Sequence, residues 1–334
     1  MPRNAKHPRL SKPAAVRAWL YDAKGHDHEI AANAIDPKKI TDEQLLWVDV
    51  DAARPRAVGT VFRQLGIVDA VRHRLADPER PLFLDTYSDY VTLSVTLPPS
   101  RGRTSERACF VLGRGWLVSL HEDGPAPFVS AFRAQDKAET KIGQLTPGLL
   151  LASLLDWHLG TFFAEISAIG VRADALEESS LQRAAADDVM DKIVRNRRDI
   201  AALRRCLAAQ RQIFYGLSRP DIALEAEDAA KREFIQLAAR FERAVDEVER
   251  TRDVLVGSFE LVTLIAAHQT NGLVRVLTFV TVVIGTSGAI AGLLGMNFEM
   301  PLFKTGMTGF LIVVGSLLTL SGAALVLARR RKWL

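Results

Sequence analysis

Two uncharged apolar runs near the C-terminal end constrain the fold of this 334-residue chain more than any other feature. No Asp, Glu, Lys or Arg occurs from Val276 to Phe298, about 23 residues, or from Thr305 to Ala328, about 24 residues. A helix of either length crosses the roughly 30 Å hydrocarbon core of a bilayer. Two buried helices of a soluble protein are the alternative, which we disfavour because charged residues flank both runs. The sequence therefore predicts two transmembrane helices.

Positive charge beside the runs predicts their orientation. Arg275 precedes the first run, and a basic cluster at Arg329–Lys332 follows the second. Because positive residues mark the cytoplasmic side of membrane helices, we expect a hairpin with both termini in the cytoplasm. The N-terminal segment lacks the apolar stretch of a signal peptide, which favours a cytoplasmic location for the part before the runs. These features predict a multi-pass protein of the inner or plasma membrane.

Composition and motifs narrow the function classes. The basic excess of +4 is explained by the residues that flank the membrane runs, so we predict no nucleic-acid partner. Cys109 and Cys206 fit a reducing compartment and suggest neither a disulfide framework nor a thiolate metal site. Gly113-x-Gly115 between two β-rich stretches is typical of a hairpin turn rather than a phosphate loop. We find no nucleophile–base pair or P-loop, so neither an enzyme nor an NTP-driven pump is predicted.

The part before the membrane runs divides where proline becomes rare. Up to about residue 125, aromatic and β-branched residues with partial alternation predict strands, and short helical stretches lie between them. After Pro147, helix-forming residues dominate. We predict three long helices at about 147–182, 187–217 and 223–295. The predicted domains are an α/β cytoplasmic domain (1–145), a stalk of long α-helices (146–272) and a two-helix transmembrane domain with a basic tail (273–334).

A stripe of small or hydroxylated residues follows one face of the third helix into the first membrane run. Steps of three and four residues from Asn271 give Val274, Thr278, Thr281, Gly285, Gly288, Gly292 and Gly295. Two interpretations remain open. Small residues at this spacing allow close packing of membrane helices, and they equally suit the wall of a pore formed by several copies.

Acidic residues continue the same stepping toward the N-terminus. Glu260, Asp253 and Asp246 occur at these positions, with Arg250 between the last two. Around a symmetric axis, such acids would form rings of negative charge, which are typical of cation pores. The alternative is that the stripe drifts around the helix, because 3.6 residues per turn is not 3.5, and that Asp246 and Asp253 lie on a solvated face.

The end of the first run carries a recognisable signature. Gly295-Met296-Asn297 ends that run, a second run follows, and RRRKWL closes the chain. This order resembles the CorA/ZntB superfamily of two-span GxN divalent metal ion transporters, and the stretches 270–278 and 289–298 also look like that family's first span. The resemblance implies a funnel-shaped homopentamer in a lipid bilayer, with the first span lining a pore. Mg²⁺ or Zn²⁺, with Co²⁺ and Ni²⁺ as further candidates, would be cargo, and no cofactor is implied.

The resemblance also implies roles for individual residues. Asn297 would hold a hydrated cation at the outer mouth, Gly295 and Met296 would shape that turn, and Glu299 would attract cations there. Asn271 would form a polar ring lower down and Glu260 an acidic ring near the cytoplasmic exit, so the cation contacts are Asn297, Asn271 and Glu260. The remaining pore-lining residues would be Val274, Thr278, Thr281, Gly285, Gly288 and Gly292. Neutral amide oxygens suit this task because Mg²⁺ releases its water reluctantly.

Several positions depart from the magnesium members of the family. Gly285 and Gly288 replace a bulky mid-span constriction, Leu302 stands where an acid often follows the loop proline, and Lys304 adds positive charge at the mouth. The stretches 16–25 and 195–212 look more like the zinc branch, whereas Met296 does not. The metal therefore stays open, and a membrane-anchored scaffold or sensor of the same fold, with poor conduction, is the alternative function.

Three further groups are weaker candidates for metal contact. They are His26-Asp27-His28, His268, and the pair Asp85 and Asp89. For each we favour an ordinary surface, interface or strand-edge position.

Overall fold

The computed structural model describes most of the chain and divides it into two compact units. The described residues are 15–22, 24, 27–75, 81–99, 106–121, 134, 145–181, 186–219, 222, 228–294 and 306–330. The first unit comprises Met1–Ser179 with Asp191–Val256, and the second comprises Ser180–Met190 with Gly257–Leu334.

An α/β region precedes four long helices. The strands are β1 (Val16–Asp22), β2 (His28–Ile30), β3 (Gln44–Asp51), β4 (Leu84–Thr86), β5 (Tyr90–Thr96), β6 (Arg107–Gly113) and β7 (Trp116–His121). The helices are α1 (Pro55–Leu65), α2 (Asp69–Leu75), α3 (Pro147–Leu181), α4 (Ala186–Leu217), α5 (Asp228–Leu294) and α6 (Met307–Arg330). The three long helices predicted after Pro147 are confirmed over the described residues.

The described strands form one seven-stranded sheet in the order β2-β1-β3-β7-β6-β5-β4. Neighbouring strands are antiparallel except β3 and β7, which run parallel with Trp47 beside Leu117. The predicted hairpin turn at Gly113-x-Gly115 is confirmed, because β6 and β7 are joined there and Gly115 has a φ of 77°. A left-handed conformation of this kind favours glycine.

Alternating side chains give the sheet two buried faces. On β3, Leu45 and Trp47 belong to the core shared with the long helices, whereas Leu46, Val48 and Val50 belong to the core covered by α1 and α2. A strand that is buried on both faces reads as a continuous apolar run. This explains why the β3 sequence is apolar throughout apart from Asp49 and the two strand ends.

Three helices of the first unit pack around a common apolar core. The buried residues of α5 recur at alternating steps of four and three: Ala230, Phe234, Leu237, Phe241, Ala244, Val248, Thr251 and Leu255. Phe241 stacks on Phe214 of α4, with ring centroids 4.6 Å apart. Ion pairs border this core, including Arg240 with Asp156 at 2.7 Å. The spacing is that of a coiled-coil seam, so one face of α5 is fully occupied by its own chain.

Three helices among the described residues are long and apolar enough to cross a membrane: Pro147–Leu176, Asp228–Leu293 and Met307–Arg330. Half of the most apolar window of the first is buried inside the protein, whereas none of the corresponding windows of the other two is buried. The apolar residues of α3 are therefore largely explained by the core of the first unit. The most apolar windows of α5 and α6 have no comparable cover among the described residues.

Candidate functional site

The candidate site lies on α5 within the second unit, where the helix has a covered stripe and an exposed stripe. Between Asn271 and Ala291, partial burial recurs at Val276, Phe279, Val283, Ser287 and Ile290. On α6, burial recurs at Gly309, Val313, Val314, Leu317, Ser321, Ala324 and Ala328. Both sets follow steps of about three and four residues, which indicates that the two helices cover each other along these stripes.

The predicted stripe lies on the opposite side of α5. Asn271, Val274, Thr278, Thr281, Gly285, Gly288 and Gly292 are all exposed. At 100° per residue, their mean direction is about 170° from that of the stripe that α6 covers. We call this set the small-residue seam. It lies on the side of α5 opposite the partly buried stripe.

The glycines of the seam are not used for packing within the chain. A Cβ atom placed on Gly285, Gly288 or Gly292 would meet no atom within 4 Å. Among the described residues nothing packs closely on these glycines, so both interpretations of the Gly288-x-x-x-Gly292 spacing stay open: close packing against a helix of another copy, or the wall of a pore. The glycines of the seam can therefore contact another molecule or line an open path.

Oxygen atoms give the seam its chemistry. The Thr278 hydroxyl donates to the carbonyl oxygen of Val274 at 2.7 Å, so its only hydrogen is already used. Its oxygen can then act only as an acceptor toward the seam. Asn271 adds an amide about two turns before Thr278, toward the N-terminal end of α5. Acceptors of this kind suit a hydrated cation, whose water molecules present hydrogens outward.

Glu260 supplies negative charge on the same helix. It lies 11 residues before Asn271, a rise of about 16 Å along an α-helix, and its side chain is exposed. His268 is also exposed, but it lies between Leu264 and Asn271 rather than on the stepping that joins them. The structure thus brings the three predicted elements of acid, amide and small residues onto one helix of the second unit.

The predicted outer mouth lies outside the described residues. This applies to Gly295, Met296, Asn297 and Glu299, and to the departures at Leu302 and Lys304. His26 of the loop cluster is likewise outside the described part. Their roles stay predictions.

Two residues of the weaker metal candidates, Asp85 and Asp27, already make other contacts. Asp85 forms an ion pair with Arg74 at 2.8 Å, so its charge is already balanced. Asp27 accepts a hydrogen bond from the backbone nitrogen of Asp22 at 3.0 Å. Within the described residues, no group of three or more His, Cys, Asp or Glu side chains is arranged to hold a metal ion.

A buried polar cluster in the sheet was not foreseen. Trp47 Nε1 donates to Ser119 Oγ at 3.1 Å, and Ser119 Oγ donates to Asp49 Oδ1 at 2.6 Å. His121 Nε2 lies 3.0 Å from the same Asp49 oxygen. The sequence gives one indication of this cluster: Asp49 interrupts a run of apolar residues and therefore falls on a buried face. The cluster lies where β3 pairs with β7, and among the described residues the buried His121 Nδ1 has no hydrogen-bond partner.

Comparison with known proteins bears on this geometry. The model of the CorA-like Mg²⁺ transporter protein family matches residues 42–330. The cobalt/magnesium transport protein CorA of Thermotoga maritima is 26% identical over 185 residues, which span 55% of this chain and only 52% of that protein. The putative metal ion transporter YfjQ of Bacillus subtilis is 22% identical over 314 residues, 92% of this chain and 96% of that protein.

A solved structure shares the fold. The complete structure of the CorA magnesium transporter from Methanocaldococcus jannaschii has a TM-score of 0.76 at 18% identity, covering 95% of this chain and 98% of that chain. An α/β region, a long helix and apolar C-terminal helices are therefore common to both folds.

Proposed function

The chain belongs to the family of CorA-like Mg²⁺ transporter proteins, and we propose on this basis that it moves divalent metal cations across the inner or plasma membrane. The path would be lined by α5 from several copies, five if the chain follows the resemblance seen in its sequence. The membership confirms the family that the sequence predicted. Transport, cargo and assembly are the parts that we propose.

One observation carries this proposal: the small-residue seam is exposed and faces away from α6. A face of glycine and threonine is poorly suited to lipid contact, because it offers little apolar surface and carries polar atoms. Copies that turn this face toward a shared axis would remove it from lipid and enclose a polar path. Leu273, Leu277 and Ile284 flank the seam and are exposed, so they supply the apolar surface that neighbouring copies or lipid would cover.

The chemistry of the seam favours passage of a hydrated ion. Mg²⁺ prefers six oxygen ligands and keeps several of its waters. Asn297 at the outer mouth and Asn271 below it would bind those waters through neutral oxygens, and Glu260 would attract the ion at the cytoplasmic end. Conduction requires binding that is weak enough for release, and neutral acceptors provide it.

For the cargo we propose Mg²⁺ or Zn²⁺, with Co²⁺ and Ni²⁺ as further candidates. Support for magnesium and cobalt comes from the name of the Thermotoga protein, which shares 26% identity over its matched half. The zinc candidate rests only on the sequence stretches 16–25 and 195–212.

Flux into liposomes tests the proposal. Purified full-length protein in sealed vesicles should admit Mg²⁺, Zn²⁺, Co²⁺ or Ni²⁺ faster than empty vesicles, as reported by an enclosed metal-sensitive dye. Each metal is measured with and without an imposed pH gradient, which separates passive from proton-coupled transport. If no metal enters above the empty-vesicle rate, transport is refuted, and the scaffold or sensor alternative is favoured.

Asn297→Ala tests the outer mouth. Loss of the amide should lower flux by at least about ten-fold, since this side chain is proposed to hold the ion's water shell. Gln269→Ala is the matched control, because it removes an exposed amide of α5 that lies off the seam. Unchanged flux and selectivity in Asn297→Ala would refute the site while leaving transport intact.

A further inference from the structure

In the first unit, α5 presents a charged face that its own chain leaves uncovered. Arg243, Asp246, Arg250 and Asp253 are all exposed. They follow alternating steps of three and four residues on the side of the helix away from the buried stripe that includes Phe241 and Ala244. We call these four residues the charged ladder.

The order of signs in the charged ladder is regular. Positive and negative residues alternate, so each arginine is followed three residues later by an aspartate. On an α-helix, successive members rise by about 4.5 or 6 Å. The four residues together have no net charge. Each residue stands at its own height along the helix, which we call a level, and so each level carries a charge of one sign. When helices associate, the residues at this spacing are usually apolar.

Contacts within the chain satisfy this ladder only weakly. Arg250 lies 3.3 Å from Glu247 Oε2, but the Arg250 side chain is 72% exposed. The Asp253 side chain is 75% exposed, and its nearest described cation, on Arg252, is 3.9 Å away. Arg252 itself makes a closer contact of 2.9 Å with Glu249. That contact, strengthened by Arg204, holds the pKa of the Glu249 carboxyl below its ordinary value.

We propose that the charged ladder is an interface between copies of this chain, in which Arg250 of one copy lies between Asp246 and Asp253 of the next. The partner is a second copy because the complementary charges occur on the same helix, half a heptad apart. Parallel copies at the same height would therefore bring Arg250 of one copy beside two aspartates of the next, and Arg243 beside one. Ile235, which is 57% exposed, and Ala239 lie on or beside the same face and add apolar contact. The inference rests on the proposed parallel assembly around an axis.

This arrangement separates two kinds of acid on α5. Asp246 and Asp253 have Arg250 as a neighbour on the same stepping and would be used in subunit contacts. Glu260 has Gly257 and Leu264 as its neighbours on that stepping, so no ladder arginine competes for it. Its charge would stay available to a cation.

Charge reversal tests the interface. In detergent solution, Arg250→Asp should place three acids in succession and raise the dissociation constant of the assembly by roughly ten-fold or more. The quadruple variant Arg243→Asp, Asp246→Arg, Arg250→Asp and Asp253→Arg inverts every sign, restores the alternation and should recover most of the assembly. Arg252→Asp is the matched control, because it reverses an arginine on the same helix that pairs within the chain. Mass photometry or native mass spectrometry gives the oligomer distribution.

Salt supplies a signature that loss of folding would not reproduce. At 1 M ionic strength the screening length is about 3 Å, so attraction and repulsion are both weakened. Added salt should therefore favour dissociation of the original protein and association of Arg250→Asp. The same direction of response in both proteins would overturn the proposal.

Cross-linking tests the interface even if the membrane helices keep the copies together after the ladder contact is lost. In the Arg250→Lys variant, a carbodiimide should couple the introduced amine to a carboxylate of a neighbouring copy and give linked dimers in denaturing gels. Adding Asp246→Asn and Asp253→Asn should remove those dimers. If the dimers persist, or never exceed those of the unsubstituted protein, the ladder is not the interface. Flux measured on the same samples decides the proposed function separately.

Discussion

His158 is a buried titratable side chain in the core of the first unit. Its Nε2 lies 2.9 Å from the amide oxygen of Gln210, and because that oxygen only accepts, Nε2 carries the hydrogen. The rings of Phe162 and Phe214 lie beside it. Burial lowers the pKa of His158 from 6.5 to about 4, and the hydrogen bond to Gln210 opposes this only in part. The side chain is therefore neutral at physiological pH.

This shift predicts a dependence of stability on pH. The unfolded chain takes up a proton on His158 near pH 6.5, whereas the folded chain resists it until about pH 4. Stability is therefore full above pH 6.5 and decreases as the pH falls toward 4, by about 3 kcal/mol from this residue. Thermal unfolding of the detergent-solubilised protein, followed by near-UV circular dichroism, should show a steeper decrease than in His158→Leu. If the two proteins lose stability equally as the pH falls, the lowered pKa of His158 is contradicted.

At the scale of the element, α5 has two different faces. A packed stripe contacts its own chain, and an exposed stripe lies on the other side of the helix. In the first unit the packed stripe is built from large side chains such as Phe234 and Phe241. In the second unit the exposed stripe consists of small ones such as Gly288. The proposed path depends on the small size of this second set.

Replacing one glycine of the seam with a larger residue should therefore block the passage of ions without disturbing the fold. Gly288→Leu is predicted to lower flux by at least about ten-fold, because several copies would each place an isobutyl group in the path. Gly315→Leu on α6 is the matched control, since a Cβ atom at either position meets nothing within 4 Å. Liposome flux and the thermal midpoint of both variants are compared. Equal flux in the two variants would argue against the seam as the path.

The sequence predicted the long helices because their composition is locally decisive. Ala, Leu, Arg and Glu continue without proline from Asp228 to Leu294, so one helix is the favoured structure. The seam could also be read, because its residues lie on that single helix. β2 was missed, since His28–Ile30 is too short to show alternation. The pairing of β3 with β7 could not be read, because it joins distant segments. The partner that we propose for the charged ladder could not be predicted from the sequence, because exposed charges at this spacing are equally typical of a solvated helix face.

At the scale of the whole molecule, the basic residues beside the two apolar helices predict the orientation in the membrane. Arg329 and Arg330 end α6 and fall in its last turn. Positive residues of this kind are retained on the cytoplasmic side. The segment between α5 and α6 is then expected on the outside, and Cys206 of the first unit on the inside.

Thiol labelling tests this orientation. A membrane-impermeant maleimide applied to intact cells should label Thr305→Cys and leave the original protein unlabelled, although the latter has Cys109 and Cys206. After the membrane is opened, Cys206, which is partly exposed, should react in both proteins. Labelling of the original protein in intact cells would reverse the predicted topology.

The single parallel pairing in the sheet has a consequence for how the chain acquires its structure. β2-β1-β3 and β7-β6-β5-β4 are each joined by antiparallel neighbours that are close in sequence, so each group can form early during synthesis. The contact between Leu46 and Trp116 is different, because its partners are 70 residues apart along the chain. Non-local contacts of this kind slow folding, since the intervening chain must be ordered before they form. The union of the two half-sheets is thus the expected late step of folding, and until it occurs the facing edges of β3 and β7 remain open to mispairing with other chains.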